Sequence, residues 1–382
     1  MSLGLLFAGG AGPLDYGRRL CRLRWRRAFP ETRTREASAG DSAAEALSSA
    51  GAWIAVRDEM ALPLPGAHVT LQAGVVALPA SRAVFPSAVP HTLRELEEAP
   101  LEPRPGADLG PVPALAFSTS DFPPSAGETL GAFLERLCRP PTPREVARGF
   151  ALFAVEDPFE RERPDVTRRI ALRAGRLLDV GCGAGAASSA LKRERPGLVV
   201  EGIERDPVAA ARAGTRLDRV HLGDAPTTLS RLAAAGERFD AFVFADVLEH
   251  LEDPIAALAL ARRLAAPGAC LVASVPNVGH VSIVRDLVFG RFDPVPAGLA
   301  DAGHLRWFTR HSLAEALEEA GWSVQAIEAE TGAPARETES FLAWFRDWPD
   351  LDRESLGTYQ WIAVAHPNEA EAAAVHNAHG TV

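Results

Sequence analysis

Short apolar runs alternate with amphipathic stretches along most of this chain, and the alternation sets the first expectations. LGLLFAG (3–9) and AWIAVRDE (52–59) predict buried strands, and the arginine-rich RRLCRLRWRR (18–27) between them predicts a helix. Further on, REVARGFALF (144–153) and PFERERPDVTRRIALRAG (158–175) carry apolar positions at helical spacing. Then come five strand-like runs, 176–180, 198–203, 218–222, 240–245 and 269–275, with helical patterns between them. Such runs, apolar on both faces, belong to parallel strands covered on both sides, so the expected fold is α/β with a doubly wound, mostly parallel sheet. A helix over 312–320 and strands over 322–330 and 358–365 close the pattern.

Prolines at 100, 103, 105, 111, 113, 123, 124, 140, 141 and 143 mark the main change in composition. They divide the chain into a small α/β unit (1–98), a Pro-rich linker (99–143), a larger domain (144–366) and a flexible tail (367–382). The 382 residues are 47% hydrophobic and 24% charged, a globular composition. A net charge of −10 disfavours binding to duplex nucleic acid, and the acid excess falls entirely after residue 150. No run approaches the ~20 apolar residues of a membrane span, and the basic residues follow the first apolar segment rather than precede it, unlike a secretory signal. The expected location is cytoplasmic. Cys21, Cys138, Cys182 and Cys270 are far apart, without a C-x-x-C pair, so neither a zinc knuckle nor a disulfide framework is expected.

The most informative segment is Asp179-Val-Gly-Cys-Gly-Ala-Gly185, after a strand and before the helical AASSALKRE. Glycines there allow a tight turn and a close approach of backbone N–H groups to a ligand. Gly181, Gly183 and Ala186 also satisfy the relaxed dinucleotide pattern G-x-G-x-x-A, so NAD has to be weighed. Asp179 decides against it, because a carboxylate at the strand end repels a pyrophosphate and attracts a cation. S-adenosylmethionine carries an ammonium and a sulfonium. Glu204, at the next strand end, offers two oxygens to two ribose hydroxyls. Asp224, after the third strand, is open to two readings, acceptor for an adenine amino group or helix cap.

Residues ~155–366 resemble the class I S-adenosylmethionine-dependent methyltransferases through LLDVGCGAG, VEGIERDP, LGDA, FDAFVFADVLEHLEDP, PGACLVASVPN and GHLRWFT, in family order and spacing. The resemblance implies a seven-stranded, Rossmann-like sheet with a reversed final strand, and S-adenosylmethionine contacts at Asp179, Gly181, Cys182, Gly183, Gly185, Glu204, Arg205, Asp224, Ala225 and Asp246. It is strongest toward the branch holding ubiquinone-type O-methyltransferases, sugar methyltransferases and small-RNA 2′-O-methyltransferases. In Asp246-Val-Leu-Glu249-His250, His250 suits a general base. In the small-RNA enzymes the matching segment and a later histidine hold magnesium, which here implies Asp246, Glu249, His250 and His304 as Mg2+ ligands and a catalytic set of His250, Glu249 and His304. A structural turn is the third reading. The insert 277–306 is expected to line the acceptor side with Asn277, His280, Arg291 and Arg306.

Residues 44–71 faintly resemble part of a family 2 glycosyltransferase. Arg57-Asp58-Glu59 stands at the family's acidic triplet, and the arginine implies a degenerate domain kept for docking or acceptor binding. The arginine cluster 18–27 is read either as a contact for an anionic, lipid-linked precursor or as a solvated helix face. The expected function is O-methylation of a sugar or glycan precursor or a related small metabolite. The alternatives are an inactive methyltransferase-like scaffold, against which the intact acids argue, and an RNA 2′-O-methyltransferase, against which the acidic charge argues.

Overall fold

The computed structural model describes residues 162–171, 174–294, 298–331, 341–345 and 348–368, together with 3–7, 25–26, 28–29, 31–36, 41–50, 52–56, 61–63, 75–78, 81–82, 114–120, 123–138, 144–146 and 150–152. The chain forms two compact units, one of residues 1–154 with 292–303 and the other of residues 155–291 with 304–382.

In the first unit, six strands pair in the order Arg33–Glu36, Leu3–Phe7, Ala52–Val56, Ala114–Ser118, Val75–Leu78, Arg144–Val146. Ala114–Ser118 runs antiparallel to both neighbours. A second sheet joins Ala61–Pro63, Phe150–Leu152 and Ser81–Arg82. The expected strands at 3–9 and 52–59 are present as Leu3–Phe7 and Ala52–Val56 among the described residues. Two expectations fail. The Pro-rich 99–143 is not simply a linker: Ala114–Ser118 is an inner strand, and the helix Leu130–Cys138 packs Leu130, Phe133, Leu134 and Leu137 onto Trp53 and Phe117. Prolines flank these elements rather than interrupt them, so proline density marks their edges. The predicted helix 144–153 is two short strands instead, because pairing with distant strands overrides a helical spacing only ten residues long. Arg57, Asp58, Glu59, Cys21 and most of the 18–27 cluster lie outside the described residues.

In the second unit, seven strands carry the sheet: β1 (Ala174–Val180), β2 (Gly197–Glu204), β3 (Arg219–Leu222), β4 (Phe239–Ala245), β5 (Ala265–Pro276), β6 (Trp322–Thr331) and β7 (Thr358–Pro367). Their order is β3-β2-β1-β4-β5-β7-β6, with β7 antiparallel to both of its neighbours and the first five strands parallel. The described helices are α1 (Pro164–Thr167), α2 (Ala186–Glu194), α3 (Pro207–Ala213), α4 (Ala225–Ala234), α5 (Pro254–Leu264), α6 (Val281–Val288), α7 (Arg310–Glu319) and α8 (Arg353–Gly357). Among the described residues of the segment 158–175, α1 is the helical part.

Strand alternation explains why these runs are apolar throughout. Leu178, Val180, Phe242, Phe244, Leu271 and Ala273 fill one face with α5 and α7, while Leu177, Ala241, Val243 and Val272 fill the other with Leu191 and Ala213. Phe242 meets Trp322 edge to face at 5.7 Å, and burial of such a ring contributes about 1.5–3 kcal/mol. The strand order reverses between β1 and β4, so the crevices of the sheet open at their carboxyl ends, where open α/β sheets bind ligands. Of the tail 367–382, Pro367 ends β7, the Asn368 amide bonds to the Gly321 carbonyl, and the remainder lies outside the described residues.

Candidate functional site

The loop from β1 to α2 is set by glycine. Gly181, Gly183 and Gly185 all have left-handed backbones, φ 73°, 55° and 76°. At Gly181 a Cβ would lie 2.5 Å from Val247 Cγ2, so both the turn and the space exclude a side chain. The Gly181 and Cys182 amides donate to the Ile203 carbonyl at 2.8 and 3.0 Å, which draws the loop against the end of β2.

That contact brings two acids together. Glu204 is 5% exposed, and its oxygens accept from the Gly183 amide at 2.9 Å and the Asp206 amide at 2.8 Å. Each oxygen keeps a lone pair for a further donor. Asp179, 3% exposed, accepts from Ser188 Oγ at 2.6 Å. Burial pushes its pKa up to about 6 against the Ser188 bond, and the charge of Glu204 adds to the rise. A cationic group between them reverses that penalty. Burial, with Asp179 and Glu204 nearby, also pushes the Cys182 thiol well up, so Cys182 packs into the core beside Gly202 as a neutral thiol. Asp224 is exposed and caps α4 by accepting from the Thr227 amide at 2.9 Å, which holds its carboxyl below the usual range. The cap reading holds for that oxygen. Ala225 opens α4 and Arg205 is exposed. These residues suit a nucleoside with two hydroxyls and a positively charged tail, and no pyrophosphate.

Asp246, just past β4, departs from the expected set. Its backbone is left-handed, φ 58°. Oδ1 accepts from Ser274 Oγ at 2.9 Å and from Gln360 Nε2, and Oδ2 accepts from Arg163 Nη1. Arg163 Nη2 also donates to Ser274 Oγ at 3.1 Å, Gln360 Oε1 at 3.0 Å and Asp165 Oδ2 at 2.8 Å. Burial works against the Arg163 charge, but Asp246 and Asp165 outweigh it and hold the guanidinium above its ordinary range. Nothing in the local sequence marks Arg163, because its partners are gathered by the sheet from Asp246, Ser274 and Gln360.

Glu249, His250 and His304 do come together, with one donor atom of each within 4.8 Å of the others. The two imidazoles meet edge to face at 4.9 Å, and His304 lies 5.5 Å from Trp307. The Leu305 and Arg306 amides donate to the Glu249 carbonyl at 2.7 and 3.0 Å, which fastens the His304 segment beside the turn Leu248–His250. Asp246 is absent from this trio, which corrects the four-ligand expectation. The donors left are two imidazoles and one carboxylate, whereas magnesium takes oxygen ligands in an octahedron, so the trio does not fit Mg2+.

Of the acceptor-side candidates, Asn277 is fully buried, donates to the Ser355 and Thr358 carbonyls at 2.8 and 2.7 Å and accepts from the Gly279 amide at 2.9 Å. His280 caps α6, and Arg306 bonds to the Leu305 and Glu252 carbonyls. These three hold the loop. Arg291 is half-buried, with its amide on the Asp286 carbonyl. Among the described residues no helix is long and apolar enough to cross a membrane.

Residues 145–327 match the family described as Methyltransferase domain. A ubiquinone biosynthesis O-methyltransferase of Dinoroseobacter shibae is 31% identical over 177 residues, 41% of this chain and 68% of that protein. One from Cereibacter sphaeroides is 35% identical over 126 residues, 32% of this chain and 50% of that protein. The chain thus spans about half the length of the first of the curated relatives it matches. A solved SAM-dependent methyltransferase from Archaeoglobus fulgidus aligns over 50% of this chain and 86% of its own, with 20% identity and a TM-score of 0.38. With its glycine loop, strand-end acids and reversed β7, this chain belongs to the class I S-adenosylmethionine-dependent methyltransferases.

Proposed function

We propose that the protein methylates a hydroxyl group of a small molecule, with S-adenosylmethionine as methyl donor. The observation that carries this reading is Glu204, fixed by the Gly183 and Asp206 amides at the end of β2 with a lone pair left on each oxygen for the ribose hydroxyls. Asp179 meets the cationic methionine end of the cofactor through the loop, the Gly181–Gly185 backbone lies along it, Cys182 packs beneath, and Arg205, Asp224 and Ala225 flank the adenosine. Asp246 lies toward the methionine end. The relatives' name, ubiquinone biosynthesis O-methyltransferase, supports an oxygen acceptor.

The cofactor supplies a methyl group on a sulfonium: the acceptor oxygen forms the new C–O bond as the C–S bond breaks, and its electron pair stays on sulfur as a neutral thioether. The chain's part is to align the acceptor and remove its proton. His250, beside Glu249 and His304, is the base for that proton. No step runs through magnesium.

A transfer assay with radiolabelled S-adenosylmethionine tests this against two panels, catechols such as 3,4-dihydroxybenzoate and free or nucleotide-linked hexoses. Labelled methyl ether from either panel, undiminished by EDTA, supports the reading, and the productive panel separates the small-metabolite acceptor from the sugar or glycan one. Cofactor binding with no transfer to any hydroxyl favours the scaffold reading.

A further inference from the structure

Among the described residues, only two that are not glycine have a left-handed backbone, Arg163 at φ 49° and Asp246 at φ 58°. They lie 83 positions apart and are bonded to each other. Strained backbone persists where surrounding contacts enforce it, and it gathers at functional sites. Here three strands and the start of α1 do so: Asp246 follows β4, Ser274 belongs to β5, Gln360 to β7, and Asp165 to α1.

The hydrogen bonds leave little slack. Ser274 Oγ donates to Asp246 Oδ1 and accepts from the Asp246 amide at 3.2 Å and from Arg163 Nη2, so its donor and both lone pairs are in use. Gln360 donates its amide N–H to Asp246 and accepts from Arg163 on its carbonyl oxygen. The Arg163 side chain is 11% exposed, while Asp246 keeps 35% of its own. A carboxylate has about four lone-pair directions. Two donors lie on Oδ1 and one on Oδ2, which leaves Oδ2 a single direction. A divalent ion taken up there would stand beside a buried guanidinium, like charge against like.

We propose that Arg163 is the resident cation of Asp246. It neutralises and aims this carboxylate as a bound divalent ion would, so Asp246 is no ligand of any ion held by Glu249, His250 and His304, and it presents its remaining lone pair to a hydrogen-bond donor of a ligand in the crevice. Arg163 acts through Asp246 and is a positioning residue. The assignment deepens the methyltransferase reading, but its test needs neither cofactor nor acceptor.

The test is Mn2+ titration of the full chain, followed by the electron paramagnetic resonance of free ion, for wild type, Asp246→Asn, Arg163→Met, Arg163→Lys and the double variant Arg163→Met/Asp246→Asn. Asparagine tolerates the left-handed backbone, so Asp246→Asn reports on charge rather than on the turn. Asp246→Asn and Arg163→Lys are expected to match wild type within twofold. Arg163→Met gains tenfold or more in Mn2+ affinity, and the double variant loses that gain. A tenfold loss in Asp246→Asn makes Asp246 a ligand and overturns the proposal, as does an Arg163→Met variant with no gain. If Arg163→Met does not fold, the Asp246→Asn and Arg163→Lys results still decide. Should this pattern hold while S-adenosylmethionine fails to bind, the cofactor reading falls and the Arg163 assignment stands.

Discussion

Asp179 is costly to bury ionised, and that cost gives a pH signature. Its pKa of about 6 stands above the ordinary 3.8, so it favours the folded cofactor-free state most fully below pH 3.8, and this contribution is lost as pH rises through about 6. A cationic ligand demands the opposite charge state. Affinity for S-adenosylmethionine is therefore expected to fall by up to about tenfold per unit as pH drops below 6, and calorimetry from pH 5 to 8 checks it. Ser188→Ala removes the bond that opposes this rise and moves the midpoint upward. Both strand-end acids are legible in the sequence, since each stands at a fixed offset from a strand and a glycine. Arg163 is not, because only the folded sheet brings its partners together.

The strands of the second unit are predictable as elements because each is a short apolar run buried on both faces, and the fold moves their ends by only a few residues. The misread helix at 144–153 and the misread linker share one cause: their pairing partners are distant in sequence, as Ala114–Ser118 with Ala52–Val56 shows. The insert after β5 was expected to face an acceptor, yet Asn277 spends its amide on the carbonyls of Ser355 and Thr358. Asn277→Ala strands buried partners at about 1–3 kcal/mol each. A clear fall in melting temperature with little change in cofactor affinity is the expected result, measured by thermal unfolding and calorimetry on the same sample.

At the scale of the whole molecule, residues 292–303 belong to the first unit although they interrupt the sequence of the second. Deleting residues 1–154 therefore removes the body of the unit to which 292–303 belong. The truncated chain is expected to keep a folded sheet and S-adenosylmethionine binding while protease cleaves within 292–303, in contrast to the full chain, and limited proteolysis with mass spectrometry of the fragments reads this out.

The cofactor is the central claim, and calorimetric titration of S-adenosylmethionine and, separately, NADH into the full chain and its Glu204→Gln variant tests it most directly. One site for S-adenosylmethionine, none for NADH, and a loss of about tenfold or more in the variant are predicted, since hydrogen bonds to a charged group contribute about 1.5–3 kcal/mol. Binding of NADH in place of S-adenosylmethionine, or an unchanged affinity in Glu204→Gln, would contradict the account.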